Sequence, residues 1–314
     1  MSTNVARTSD GWWVEADGRL TRVETDAVTT AELLADRAAV DKAAASPDLD
    51  GPIVEDVELL SPVTTPARVV AQMVNYRSHA TDSGFDPDTV PPAFFRKASG
   101  SVTGPRGEIV RPDHVGFLDY EVELGLVIGR RLDVGTRVEA DEVAEYVAAL
   151  VVTDDVSARD VQLTRTQFYE SKSYPTFTPV GPYLTLVDAH ELAGLDRLRL
   201  TLSVNGDVRQ DSTVADMMVT PDRALTLLAR FQALDPGDLL LTGTPGGTAL
   251  KAPHPLVEKI GALLPPAVKW KAFFKRQASN PKYLQPGDVV ATTISDLERG
   301  IDLGQQQHTV VAAP

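Results

Sequence analysis

In the segment "LDYEVELGLVIG" (118–129), Asp119, Glu121 and Glu123 stand at every second position before the chain turns wholly apolar. Residues two apart on an extended chain lie roughly 6.5 Å apart and point the same way, so the carboxylates of Glu121 and Glu123 could converge on one divalent cation. The same alternation also describes a strand with one wet face. Tyr120, Val122, Leu124, Leu126 and Ile128 share one side, while the other continues as Gly125, Val127 and Gly129, so the glutamates sit where the surroundings turn apolar. Other reactive groups lie nearby in the chain. "AALVVTDDVSARDVQ" carries Asp154 and Asp155 at the end of an apolar strand, a place where ligands are often displayed. "MVNYRSHATDSG" sets His79 three residues before Asp82, which lets a carboxylate orient an imidazole if the segment makes one helical turn. "YESKSYPTFTPVGP" puts Lys172 among aromatics and prolines, and "LTGTPGGT" runs a strand into a glycine-rich turn. Each also has a structural explanation: an N-cap for Asp154 or Asp155, a surface histidine, a solvated lysine, a turn that serves geometry alone. A nucleotide site is rejected, because no Gly-Lys-Ser/Thr follows the glycine turn and no G-x-G-x-x-G spacing occurs.

The elements that must position these groups are mostly strands. Residues 11–60 read as two short strands, "WWVEA" and "RLTRVE", an Ala-rich helix around 30–46 and the linker "SPDLDGPI", which together suggest a small N-terminal α/β domain over residues 1–65. Residues 66–314 then form the main domain, with strands in "ARVVAQMV", "DYEVELGLVIG", "AALVVTDD", "GPYLTLV", "RLRLTLSVNGDV", "DLLLTGT" and "DVVATTI". Helices are expected near 139–147 and at 220–234, the second with Thr220 as N-cap and Pro221 in the first helical position. Asn205-Gly206 signals a hairpin. "LDPGDLLLTGT" and "LQPGDVVATTI" echo one another, each a Pro-Gly-Asp turn feeding an apolar strand. Residues 249–283 stand apart as an insertion. From 251 to 283 they hold seven Lys/Arg against the single acid Glu258, with Trp270, Phe273 and Phe274 clustered. That cluster either packs on the surface, roofs a pocket or makes an oligomer contact.

Composition narrows the chemistry. With 314 residues, 43 % of them hydrophobic, the chain can bury a full core. Zero cysteines exclude disulfides, thiolate catalysis and thiolate metal sites, and five histidines leave any metal to oxygen ligands. A formal net charge of −14 disfavours nucleic acid and anionic membranes. An anionic small substrate then requires a locally positive pocket. "MSTNVARTSDGWWVEADG" contains no apolar stretch and no later run reaches the length of a membrane span. A cytoplasmic protein is the expectation.

Taken in order, "NYRSHA", "DYEVELGLVIG", "DDVSARDVQ", "GPYL" and "LTGTPGGT" resemble the fumarylacetoacetate hydrolase superfamily over roughly residues 66–248 and again at 284–310. The resemblance implies a β-rich α+β fold whose mixed sheets roll into a barrel-like core, and a homodimer. It implies Glu121, Glu123 and Asp155 as ligands of Mg²⁺, Mn²⁺ or Ca²⁺, with Asp154 as a neighbour and Asp119 as an ordinary exposed acid. It implies His79 with Asp82 as a lid dyad, although relatives often carry Glu at the second position, and Lys172 as the active-site lysine. Lys97, Tyr76, Arg159, Gln162 and Thr244 match positions that frame the substrate or the metal's surroundings. The implied activity is hydrolytic cleavage of a C–C bond in a 1,3-dicarbonyl acid through a metal-stabilised enolate, in catabolism of aromatic or related compounds. Decarboxylation, isomerisation or hydration of a 2-oxo acid at the same site is the alternative, and a non-catalytic metal-binding scaffold is the alternative of another class. The C-terminal "DLERGIDLGQQQHTV" departs from the family's usual Gly-Thr-Leu ending.

Overall fold

The computed structural model describes residues 2–165, 168–252, 265–296 and 298–314. Residues 253–264 of the expected insertion, and the side chain of Trp270, lie outside the described residues.

Two mixed sheets carry the chain. The larger has nine strands in the order Arg19–Arg22, Gly11–Ala16, Thr3–Thr8, Tyr183–Leu186, Val147–Asp154, Val122–Ile128, Leu239–Leu241, Val69–Met73 and Ala93–Lys97. The smaller has five, Asp207–Thr213, Arg199–Val204, Val289–Asp296, Ile301–Ala312 and Arg106–Arg111. The expected β-rich α+β fold is present, but among the described residues neither sheet closes into a barrel.

The principal core fills the space between the sheets, with Leu124 and Leu126 of the large sheet meeting Leu200, Leu202 and Ile294 of the small one. A second core lies on the outer face of the large sheet, where Leu33 and Val40 from helices Thr30–Ala35 and Arg37–Ala44 cover Val69, Val127 and Leu239. The chain's start joins both the sheet and this core: Thr3–Thr8 pairs antiparallel with Tyr183–Leu186, and Val5, Trp12 and Val14 pack with Val151 and Leu184.

Local sequence accounts for several boundaries. The single helix expected at 30–46 is broken at Asp36, whose carboxylate accepts a hydrogen bond from Thr25 Oγ1 at 2.6 Å. Its first half begins with a capping box, Thr29 and Glu32 each bonding the other's backbone N–H. Helix Pro221–Leu228 starts at Thr220 with Pro at its first position, as the sequence indicates, but ends before 234. Asn205 and Gly206 both adopt positive φ, 53° and 83°, and join the first two strands of the small sheet in a tight hairpin. The two Pro-Gly-Asp turns share a device: Asp238 accepts from Asp235 N at 2.7 Å and Asp288 from Gln285 N at 2.8 Å. They feed different sheets.

Candidate active site

The side chains of Glu121, Glu123 and Asp155 are buried, and each offers one carboxylate oxygen within 4.8 Å of the others. Register explains the convergence. Strand Val122–Ile128 pairs antiparallel with Val147–Asp154, so Thr153 faces Glu123 and Asp154 faces Val122. The Asp154 carboxylate then accepts from Glu121 N at 2.8 Å, and Asp155 N donates to Glu121 O at 2.8 Å. This exchange lifts residues 120–121 out of regular strand and brings the Glu121 and Asp155 side chains together. The apolar face is as expected: Tyr120, Val122, Leu124, Leu126 and Ile128 all lie in the principal core.

Around the acids stand three buried cations. Lys172 Nζ donates to Asp155 Oδ2 at 2.6 Å and also to Glu121. Lys97 Nζ donates to Asp155 and, at 2.8 Å, to the Phe177 carbonyl. Arg159 holds Asp119 Oδ2 at 2.8 Å through Nε, Glu121 through Nη2 and Gln162 Oε1 at 3.0 Å through Nη1. Asp119 is therefore no exposed acid. It is fully buried and also accepts from Ala249 N at 2.8 Å and Leu250 N at 3.1 Å, fastening the segment after the glycine turn to the site.

The cluster divides its acids electrically. Burial opposes ionisation of Glu121, but Arg159 and Lys172 beside it hold its carboxyl below the usual range. Glu123 makes no ion pair among the described residues: burial, then the neighbouring Asp155 and Glu121, push its carboxyl well above that range against a smaller pull from Lys172. Its hydrogen-bond donor among the described residues is Gly243 N, at 2.7 Å from Oε2. Gly243 takes φ +87°, and an added Cβ would stand 2.8 Å from Asn75 Cβ, so the donor depends on glycine there. Burial raises Asp154 to about 7. Burial lowers Lys97 despite Asp155, while Lys172, opposed by burial, is raised by Asp155 and Glu121.

These donors fit a divalent cation. Three hard carboxylate oxygens suit Mg²⁺, Mn²⁺ or Ca²⁺, and the Lys172 ammonium already spans Glu121 and Asp155. Once Glu123 gives up its proton, Asp119, Glu121, Glu123 and Asp155 carry one charge more than Lys97, Lys172 and Arg159, the cations paired with this cluster among the described residues, which leaves a negative excess for added positive charge. Asp154 is turned to the Glu121 backbone and is not one of the converging group.

The cluster forms the floor of a cleft of about 640 Å³ that also exposes Arg159, Gln162, Lys172 and Thr244. Thr244 Oγ1 donates to Val122 O at 3.0 Å and accepts from Gln210 Nε2 at 2.8 Å. Lys97 stands behind Asp155, and Tyr76, expected to frame the substrate or the metal's surroundings, is fully buried in the principal core; neither lines the cleft. His79 does line it, from helix Arg77–Asp82, with its Nδ1 unpartnered and burial pushing the imidazole towards neutrality. The structure does not join it to Asp82. That carboxylate instead accepts from Gly247 N at 3.1 Å and from Lys251 Nζ at 2.9 Å. Phe273, from helix Pro266–Gln277, closes part of the opposite wall.

Four contributors escaped the sequence reading. Phe95 lines the cleft with Lys172 Nζ 5.3 Å from its ring centroid. Gln210 ties Val122 N, at 3.0 Å, to Thr244, and the Gly243 amide serves Glu123. Lys251 engages Asp82. Two had a signal: Gly243 lies in the glycine-rich turn "LTGTPGGT", and Lys251 opens the basic segment that follows it.

The profile for the fumarylacetoacetate (FAA) hydrolase C-terminal domain matches residues 68–311. The chain belongs to the fumarylacetoacetate hydrolase family. Among family relatives, an uncharacterised protein of Staphylococcus epidermidis is 32 % identical over 245 residues, covering 77 % of this chain and 70 % of that protein. The mitochondrial oxaloacetate tautomerase FAHD2A of Bos taurus is 36 % identical over 208 residues, 66 % of this chain and 64 % of its own length. Among solved structures, the fumarylacetoacetate hydrolase of psychrophilic Exiguobacterium antarcticum aligns with TM-score 0.72 and 29 % identity. The 5-carboxymethyl-2-hydroxymuconate delta-isomerase of Mycobacterium smegmatis aligns with TM-score 0.67 and 25 % identity, and both alignments cover 100 % of each chain. Isomerase, tautomerase and hydrolase activities thus all occur among the relatives of this chain, and no helix among the described residues is long and apolar enough to cross a membrane.

Proposed function

We propose that this protein is an enzyme dependent on Mg²⁺ or Mn²⁺ that acts on a small 2-oxo acid through its enol form, with keto–enol interconversion or isomerisation favoured over C–C hydrolysis. The observation that carries this reading is the buried Glu121, Glu123 and Asp155 floor combined with a His79 that Asp82 does not hold. When bound, a divalent cation supplies electrophilic stabilisation of the negative charge that develops on the 2-oxo oxygen. Lys172 stays protonated between Glu121 and Asp155 and offers hydrogen bonds to a substrate oxygen. His79, kept neutral by burial on the cleft wall, is the group able to take or return a proton at the carbon beside the oxo group. Arg159 is committed to Asp119, Glu121 and Gln162 and fixes the floor. Phe95 and Phe273 exclude water from the walls.

The hydrolase reading, in which His79 activates water against a distal carbonyl, is favoured by one observation. His79 and Asp82 lie three residues apart on one helix, so releasing Asp82 from Lys251 would allow the dyad. Both readings are tested together by following the decay of the enol of oxaloacetate and the cleavage of acetylpyruvate, each with Mn²⁺ and with chelator. Metal-dependent ketonisation without cleavage supports the first reading, cleavage without ketonisation restores the second, and neither reaction under any condition sinks both. The expected homodimer belongs to the same proposal and is checked by light scattering.

A further inference from the structure

One residue of the cleft wall is strained. Val74 takes φ 49°, in the left-handed region where a β-branched residue is an outlier. It stands where the chain leaves strand Val69–Met73 for helix Arg77–Asp82, which carries His79, and glycine or asparagine would make that turn at less cost. The core supplies no reason for valine. Val74 is partly exposed and belongs to none of the hydrophobic cores among the described residues, whereas Val69, Val70 and Ala71 before it are all buried in them. Its place is the cleft, which it lines together with Met73, Phe95 and Phe168. We propose that Val74 and the stacked rings of Phe95 and Phe168 form a rigid apolar wall that receives a flat, uncharged substituent of the substrate, so that this chain prefers a 2-oxo acid with an aryl tail to one with a short alkyl tail or a second carboxylate. This rests on the reading of the cleft as a 2-oxo acid site.

Three features support it. First, the strained conformation is held from outside. The next residue, Asn75, donates through Nδ2 to Thr242 O at 2.7 Å and to Val219 O at 3.2 Å, accepts from Val219 N at 2.8 Å through Oδ1, and accepts from Met218 N at 2.7 Å through its carbonyl. Strain persists where the surroundings over-determine it, and such residues gather at ligand sites. Second, the wall is placed relative to the floor at both ends. A Cβ added to Gly243, the donor to Glu123, would stand 3.1 Å from Gln72 O and 2.8 Å from Asn75 Cβ, so the turn bearing Val74 lies against the Glu123 anchor. At the other end Lys172 Nζ, which bonds Glu121 and Asp155, lies 5.3 Å from the Phe95 ring centroid. Third, the chemistry suits a ring and not a charge. Phe95 and Phe168 stack with centroids 5.2 Å apart and planes at 26°, an aromatic surface against which a further ring packs offset or edge-on. Arg159 and Lys172, the cations at the floor that line the cleft, are already committed to buried carboxylates. A cleft of about 640 Å³ accepts the larger substrate.

The test is calorimetric titration of the Mn²⁺-loaded protein with pyruvate, 2-oxobutanoate, 2-oxoglutarate, phenylpyruvate and 2-oxo-4-phenylbutanoate. At least one aryl acid should bind about tenfold more tightly than the alkyl acids and 2-oxoglutarate, the scale on which an apolar pocket discriminates. Val74→Gly should cut that aryl preference several-fold and raise the melting temperature, because glycine takes this φ without strain. A valine that serves the turn alone would give the higher melting temperature with the preference unchanged. Phe95→Leu, which keeps the wall apolar but removes its ring, should also cut the preference and leave Mn²⁺ affinity intact, and it decides the matter if Val74→Gly does not fold. Alkyl acids or 2-oxoglutarate binding the unaltered protein as tightly as the aryl acids, or an unchanged preference in either folded variant, overturns the wall while leaving the cleft's assignment standing. Failure of every 2-oxo acid to bind overturns that assignment and the wall with it.

Discussion

The floor of the cleft and its roof are held by different kinds of contact. Glu121, Glu123 and Asp155 descend from two central, adjacent strands whose register is fixed by hydrogen bonds on both sides, and their carboxylates are further bonded by buried lysines, an arginine and the Gly243 amide. The roof consists of a six-residue helix bearing His79, the segment after the glycine turn and helix Pro266–Gln277, the first two joined by hydrogen bonds between partly exposed groups, from Gly246 N to Ser78, from Gly247 N and Lys251 to the Asp82 carboxylate and from Ala252 N to the Asp82 carbonyl. On the proposed function, a floor so constrained keeps one chemistry, charge stabilisation at a 2-oxo group. A roof built from separate segments at the cleft's partly exposed rim can change substrate and outcome without disturbing it, which accords with tautomerase, isomerase and hydrolase relatives on one fold.

The strongest way to break this contrast is to remove a floor ligand. Glu123→Gln should weaken Mn²⁺ binding at least about 100-fold and abolish turnover, because an amide lacks the charge a divalent cation requires. Folding should survive it. Glu123 is buried among like charges that push its carboxyl up, so the metal-free variant should melt no lower than the unaltered protein. Calorimetry with Mn²⁺ and thermal melting read the two effects separately. Glu121→Ala should behave oppositely in stability. It leaves Arg159 and Lys172 short of a buried partner, a loss of about 3–5 kcal/mol by analogy with broken buried ion pairs. A pair of variants that melted alike would remove the distinction between the two glutamates.

Proton competition sharpens the same point. In the metal-free chain the raised Glu123 carboxyl retains its proton above the ordinary range, whereas Glu121 is already ionised. Metal must displace the Glu123 proton, so affinity should fall about tenfold for each pH unit below Glu123's raised value and level off above it. Stability of the metal-free chain runs the other way: because the folded state binds this proton more tightly than the unfolded one, Glu123's contribution declines as pH rises from the usual glutamate value through the raised one. Mn²⁺ titrations across pH measure the first effect, and metal-free melts measure the second.

The floor was legible in the sequence and the roof largely was not, for a physical reason. Even spacing on a strand fixes which face a side chain takes, so Glu121 and Glu123 could be paired before any coordinates, and the apolar alternation from Tyr120 to Ile128 named the opposite face. Asp119 defeated the same logic. Its burial comes from Arg159, Ala249 and Leu250, which lie far along the chain, and no local pattern encodes such partners. Helical spacing likewise placed His79 beside Asp82 but could not foresee that Gly247 and Lys251 would claim the carboxylate. Tyr76 entered through the resemblance, as a residue framing the substrate or the metal's surroundings, and its side chain lies in the principal core, off the cleft wall.

The smallest expected effect tests the roof. Asp82→Ala removes two hydrogen bonds accepted by a largely buried carboxylate, one from Gly247 N and one from Lys251, and should cost about 1 kcal/mol of stability. Mn²⁺ affinity should stay unchanged, since Asp82 is not part of the converging floor. Ketonisation should then lose only a few-fold, mainly in KM, as the His79 helix keeps its bonds from Gly246 N to Ser78 and from Ala252 N to the backbone of residue 82 but loses the two at the carboxylate. Were the dyad essential, kcat for any reaction at this site would instead collapse by about 100-fold or more, the scale of a lost general base. A collapse with melting and metal affinity intact would place Asp82 in the chemistry despite its present partners, and would extend the well-fastened region from the floor into the roof.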